Sequence, residues 1–211
     1  MTISGPRRYG WGALAFLLIL SIPAARRVVA TIDLDITFEK IDAGQRIARG
    51  SEQERAAFHR PYQFTAGDPS IEKIEVISEY RRLVLMTEER IARGDHSFAL
   101  SRRAVEEALQ PYYRRVSVVA RARFPVQNVY VTAPAVDIVL TGPSGDVLRL
   151  DLRNTTQYFA MVAPSLSVPI MGVDGEAVFD ATLIGQSIRT AIVRVGDKEA
   201  VRVPIDFSRL D

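Results

Sequence analysis

Apolar positions along this chain fall into three regimes. Residues 9–25 form an oily run, residues 31–111 mix short alternation with helical periodicity, and from residue 113 onward the pattern repeats every second position. The middle regime opens on TIDLDITFE at 31–39. There Ile32, Leu34, Ile36 and Phe38 share one face, and Asp33, Asp35, Thr37 and Glu39 share the other, which predicts a half-buried strand. Residues 40–66 read as interrupted helix. Ser51 and Glu54 have capping-box spacing, Pro61 stops what Ser51 starts, and the ring-rich FHRPYQF at 58–64 predicts an extended connector.

Asp68-Pro69 then sets up a helix with an acidic N-cap and a proline in its first turn, predicted over about 69–93. At 100° per residue, Val76, Ile77, Tyr80, Leu83, Val84 and Ile91 occupy one arc. Glu72, Glu75, Glu79, Arg82, Glu89, Arg90 and Arg93 fall opposite. Gly94 suits a left-handed C-terminal cap. KIEVIS and RRLVLMT are also rich in β-branched and apolar residues, so two strands are the rival reading; the single long arc favours the helix. A shorter helix is predicted around 101–110, closed by Pro111.

Beyond it, Val116, Val118, Ala120, Ala122 and Phe124 share a strand face. Val136, Ile138 and Leu140 alternate into a TGPSGD turn and return through Leu148, Leu150 and Leu152, which predicts a hairpin. TAIVRV, a turn at Gly196-Asp197, and Val201, Val203, Ile205 and Phe207 end the chain. Pro204 on the opposite face marks the last strand as an edge, open to strand addition by a partner. Short strands at this spacing resemble an antiparallel sandwich of immunoglobulin-like architecture, without the cysteine and tryptophan signature of true immunoglobulin domains. The predicted class is therefore α+β. It comprises a signal or anchor segment at 1–30, a strand-plus-helix region at 31–111 and a β-sandwich at 112–211.

The oily run changes where this fold is expected to work. RRYGWGALAFLLILSIPAARR places arginine pairs on both sides of a dense apolar stretch at 13–22, the length of a signal-peptide core and short for a membrane span. Pro23 follows, then two small-residue cleavage sites, at 23–25 and 28–30; the second keeps Arg26 and Arg27 out of the mature chain. Retained, the run anchors the protein, with its arginines snorkelling to cover the missing length. A twin-arginine export signal fits less well, because no hydrophobic residue follows Arg7-Arg8 in the usual order. Either fate puts the body outside the cytoplasm, periplasmic or secreted.

Charge and composition narrow the chemistry. Four of the 27 basic residues and none of the 25 acidic ones lie in the first 30 positions, so the rest carries 23 against 25. A near-neutral body excludes sequence-independent nucleic-acid binding, which needs a clustered positive field. The absence of cysteine removes disulfides, thiolate metal sites and cysteine nucleophiles. No HExxH, GxSxG, P-loop or GxGxxG occurs, so neither cofactor nor metal is expected. His59 and His96 are the whole imidazole inventory; His59 reads as a packing histidine and His96 as a loop residue.

Two candidate sites remain. Arg115, Arg121 and Arg123 share the polar face of one strand, and guanidinium forks suit an anionic ligand or an acidic envelope partner. Asp33 and Asp35 form a carboxylate pair about 7 Å apart along a strand, a spacing compatible with calcium or glycoside chemistry. The sequence thus points to an exported, non-catalytic binding or assembly module. Its rival is an exported hydrolase using carboxylates such as Asp33, Asp35 or Asp137.

Overall fold

The period-two stretches become strands of two open antiparallel sheets, and helices pack at one side of the larger sheet. A computed structural model describes residues 36–125, 128, 130, 132–159, 169–185 and 187–210. The oily run, its cleavage sites, Asp33 and Asp35 lie outside the described residues. Among the described residues no helix is long and apolar enough to cross a membrane.

The first elements are α1 (Phe38–Ala48) and α2 (Glu52–His59). The strand predicted over 31–39 is corrected where it is described. Thr37 caps α1, its side chain accepting from Lys40 N at 3.3 Å, and Phe38 and Glu39 form the first helical turn. Phe38, expected on a buried face, is 60% exposed. Ser51 and Glu54 close the expected capping box on α2, and Pro61 sits in the 3-10 turn Arg60–Tyr62 that ends it. That turn and the two-residue β1 (Gln63–Phe64) replace the extended connector.

The helix predicted over 69–93 divides in two. Its first part is β2 (Ile71–Ile77), and the helix α3 (Glu79–Ala92) starts only after Ser78, whose hydroxyl accepts from Arg81 N. Four of the seven residues in IEKIEVI are Ile or Val, stiff at χ1 and suited to a pleated surface. They also meet a ready partner, because β3 (Arg115–Arg123) pairs antiparallel along them, Ile74 opposite Ala120 and Val76 opposite Val118. Tertiary pairing overrides a helical periodicity that is real only downstream. Asp68 still caps locally, accepting from Ser70 N, but it opens a turn into a strand. Gly94 ends α3 with φ +84°, as expected, and α4 (Arg102–Leu109) occupies the predicted short helix.

The remaining strands are β4 (Val136–Thr141), β5 (Leu152–Phe159), β6 (Ile170–Asp180), β7 (Ile188–Val195) and β8 (Lys198–Asp206), with the one-turn helix α5 (Ala181–Ile184) between β6 and β7. The sheet orders are β1-β2-β3-β6-β5 and β4-β7-β8. The predicted hairpin at 136–152 is thus only begun, by a Thr141–Val147 bridge and a Leu148 N to Leu140 O bond. β4 then takes β7 as its neighbour while the chain crosses to the other sheet as β5. β7 and β8 form the expected C-terminal hairpin, with Pro204 on its edge strand.

Between the sheets, Val116, Val118, Ala120 and Ala122 of β3 and Val173, Ala177 and Phe179 of β6 pack against Val136, Ile138 and Leu140 of β4 and Ala191 and Val193 of β7. Closest approach falls at Gly175, where an added Cβ would lie 2.7 Å from Val136 Cγ1 and 3.0 Å from its carbonyl oxygen. A second, smaller core joins Ile41, Leu83, Phe98, Val105 and Leu109 among α1, α3 and α4.

Candidate functional site

The face of the five-stranded sheet turned away from β4-β7-β8 is a lattice of alternating charge. It follows from register: Arg121 of β3 lies opposite Asp174 of β6, Val119 opposite Glu176, and Arg123 opposite Gly172. On β5, Tyr158 lies opposite Gly172, Thr156 opposite Asp174 and Asn154 opposite Glu176.

Arg121 grips Asp174 with a two-pronged fork, Nε to Oδ1 at 2.7 Å and Nη2 to Oδ2 at 2.8 Å. Its Nη2 also donates to the Tyr158 hydroxyl at 3.2 Å, and that hydroxyl donates to Asp174 Oδ2. Burial pushes the Asp174 carboxyl up, but hydrogen bonds from Arg121 and Tyr158 and the Arg121 charge outweigh it. The carboxyl is held below the ordinary aspartate value. The bond to Asp174 raises the Arg121 guanidinium above its ordinary value. Burial, then the Asp174 hydrogen bond and charge, raise the Tyr158 phenol.

Two residues further along the strand, Arg123 Nη2 donates to Glu72 Oε1 at 2.8 Å. Between these pairs Gly172 has no side chain, and a Cβ there would meet the Ala122 carbonyl oxygen at 2.6 Å. The bare position helps form a cavity of about 340 Å³, bordered by Glu72, Arg121, Arg123, Phe124, Tyr158 and Met171. Its charges balance, two guanidinium groups against Glu72 and the adjoining Asp174. A carboxylate or phosphate entering it would compete with forks already made.

The structure therefore brings Arg121 and Arg123 together and leaves Arg115 apart. Arg115 begins the same strand, about 20 Å away, and donates to the Pro111 carbonyl. Asp33 and Asp35 lie outside the described residues. Asp137 is bound by Arg153, Nη2 to Oδ1 at 2.5 Å. His96 is exposed after α3. His59 Nε2 lies 3.1 Å from Glu88 Oε2, and its Nδ1 faces Arg81 Nε at 3.4 Å. With arginine donating to Nδ1, the ring proton belongs on Nε2. Among the described residues no group of three or more His, Asp or Glu side chains is arranged to hold a metal ion.

Two charged groups in the span predicted as helix over 69–93 are buried: Glu79, placed on the polar arc, and Arg81, which the pattern does not single out. Arg81 is 2% exposed, bonded to the Val76 carbonyl and to Glu75 at 3.0 Å beneath the Tyr62 ring. Glu79 is 8% exposed and accepts from Arg114 N at 3.1 Å. β5 and β6 were also missed as strands. Glycines at 172 and 175 interrupt an alternation of Ile170, Val173, Ala177 and Phe179, which was the available signal.

β5 stands apart from every other strand, because all eight of its residues, LRNTTQYF, are exposed. It pairs with β6 along one side and forms the edge of its sheet. Arg153 of β5 reaches the three-stranded sheet, donating to Asp137 of β4. No protein-family model matches this chain, and neither does any curated protein or solved structure.

Proposed function

We propose that this chain is an exported cell-envelope protein of immunoglobulin-like sandwich architecture that acts by binding, joining a partner through the open β5 edge of its five-stranded sheet. The observation carrying this reading is that edge: an eight-residue strand exposed along its whole length. Its outward N–H and C=O groups offer a template for an added strand. Export is supported by the apolar stretch at 13–22 between paired arginines, and the near-neutral charge of the remainder favours protein or uncharged partners over nucleic acid. The cavity over Gly172 adjoins β5 through Tyr158 and gives an added strand a place to insert a side chain.

The electrostatics weigh against the rival hydrolase on this face. Burial raises the carboxyls of Glu75, Asp174 and Glu176, but bonds from their partners leave each below its ordinary value. Such groups stay ionised at neutral pH, whereas a general acid needs a raised pKa. Asp137, tied to Arg153, is the one described member of the carboxylate set considered for hydrolysis.

The test uses the tagged chain in its native host. Expected is a protein outside the cytoplasm, migrating under native conditions in an assembly larger than one chain, which Thr155→Lys in β5 reduces to the monomer without loss of folding. A wild-type chain that migrates as a monomer, or an assembly indifferent to Thr155→Lys, overturns the reading.

A further inference from the structure

We infer that the strand added to β5 is β5 of a second copy of this chain, running antiparallel about a two-fold axis that sets Thr155 opposite its own copy and joining two five-stranded sheets into one of ten. This rests on the assembly reading above and names its partner.

The first argument is the treatment of edges. β1 is two residues long. β8, the edge expected from the sequence to accept a partner's strand, carries Lys198 and Pro204, which oppose such pairing. β4 is flanked by its own returning chain, through the Thr141–Val147 bridge and the Leu148 N to Leu140 O bond. Short length, lysine, proline and cover are the devices that prevent strand addition. Among the described residues β5 has none of them. It contains no lysine and no proline, and its pairing with β6 is irregular only between Tyr158 and Phe159. Among the described residues three edges are guarded, and the one strand exposed along its whole length is open.

The second argument is self-complementarity. In an antiparallel pair, opposite residues lie on the same face, so a two-fold axis normal to the sheet must run between the strands where a residue faces its own copy. With Thr155 facing its own copy across the axis, Leu152 lies opposite Tyr158 of the second copy, Arg153 opposite Gln157, and Asn154 opposite Thr156. Leu152 and Tyr158 are exposed by 48% and 39%, and this register covers each with the other twice. The polar pairs are of types that hydrogen-bond across strands. No like charges meet: the one charged residue in the strand, Arg153, is bound by Asp137 of its own chain. Leu152 of the second copy also comes beside Tyr158, at the border of the cavity over Gly172.

A charge swap across the axis tests this. Thr155→Lys and Thr155→Asp each place like charges directly opposite one another, while mixing the two variants places lysine against aspartate. The chain as recovered from its host, purified, is expected to sediment at twice its chain mass. Each variant alone is expected to fall to monomer mass with an unchanged circular dichroism spectrum, and the equimolar mixture to return to dimer mass. Variants that dimerise like wild type, or a mixture that stays monomeric, overturn the inference. A purified wild-type monomer alongside a host assembly that Thr155→Lys dissolves also overturns it, but leaves the binding edge standing with a different partner. Loss of both assemblies removes the two readings together.

Discussion

Arg82 Nη2 lies 3.2 Å from Glu176 Oε1, a contact between residues 94 apart in the chain. The same nitrogen donates to Ser117 Oγ at 2.7 Å, and the guanidinium lies over the Tyr112 ring at 4.0 Å. One side chain on α3 thereby fastens the helical side of the molecule to β3 and β6, two of the three interior strands of the larger sheet.

Replacing Arg82 with methionine keeps much of its length but leaves Glu176 and Ser117 without that donor. A loss of about 1–3 kcal/mol in unfolding free energy is expected, the range for stranding partly buried polar groups. Urea denaturation measures it. Arg82→Lys should recover little, because a single ammonium cannot reproduce the planar fork. A lysine variant as stable as wild type would show that charge alone suffices.

Gly175→Ala should destabilise, against the usual gain from replacing glycine in a strand. The added Cβ would stand 2.7 Å from Val136 Cγ1, a stiff branched side chain, with the Val136 carbonyl oxygen behind it. Overpacking of this kind costs about 1–3 kcal/mol. Thermal unfolding of the variant should show a lowered midpoint. An unchanged midpoint would mean the sheets can separate by several tenths of an ångström without penalty.

Acid should weaken the sheet through Glu75, Asp174 and Glu176. Folding lowers the pKa of each below its ordinary value, 4.5 for the glutamates and 3.8 for Asp174. Stability from these groups is therefore complete above the ordinary values. It is lost as pH falls through the lower folded values, because the unfolded chain takes up protons first. Denaturation midpoints should hold steady from neutrality to about pH 5 and fall below about pH 4. Asp174→Asn should flatten part of that fall.

Tyr158 should ionise above the ordinary tyrosine value. Burial raises its phenol above the ordinary 10.0, Asp174 raises it further, and Arg121 partly opposes them. In an alkaline ultraviolet titration, the difference between wild type and Tyr158→Phe isolates this phenol. Asp174→Asn should move its transition to lower pH. A transition that does not respond would place Asp174 out of reach of the hydroxyl in solution.

Local chemistry was legible wherever a short stretch is self-sufficient. The capping box at Ser51 and Glu54 closes through neighbours three residues apart, and Gly94 takes up its left-handed conformation because the helix end requires it. Alternation along 116–124 and 190–207 marked β3, β7 and β8, since their buried faces are plainly apolar. Alternation along β3 places Arg115, Arg121 and Arg123 on one face, and the structure brings the last two to one cavity. That each already holds a carboxylate was not visible, because Glu72 is 51 residues from Arg123 and Asp174 is 53 from Arg121.

What periodicity alone decided was which residues turn inward once an element exists. Which element forms at 71–77 was settled elsewhere, by the strand at 115–123 that pairs with it. The same holds for β5 and β6, whose glycines and polar residues carry little strand signal of their own. Gly175 gives room for β4 to approach, and β5 takes its place by pairing with β6. A strand's free energy lies in its neighbours, and neighbours distant in sequence leave no mark on the local pattern. The open edge that carries the proposed assembly belongs to this second kind, a property of sheet order.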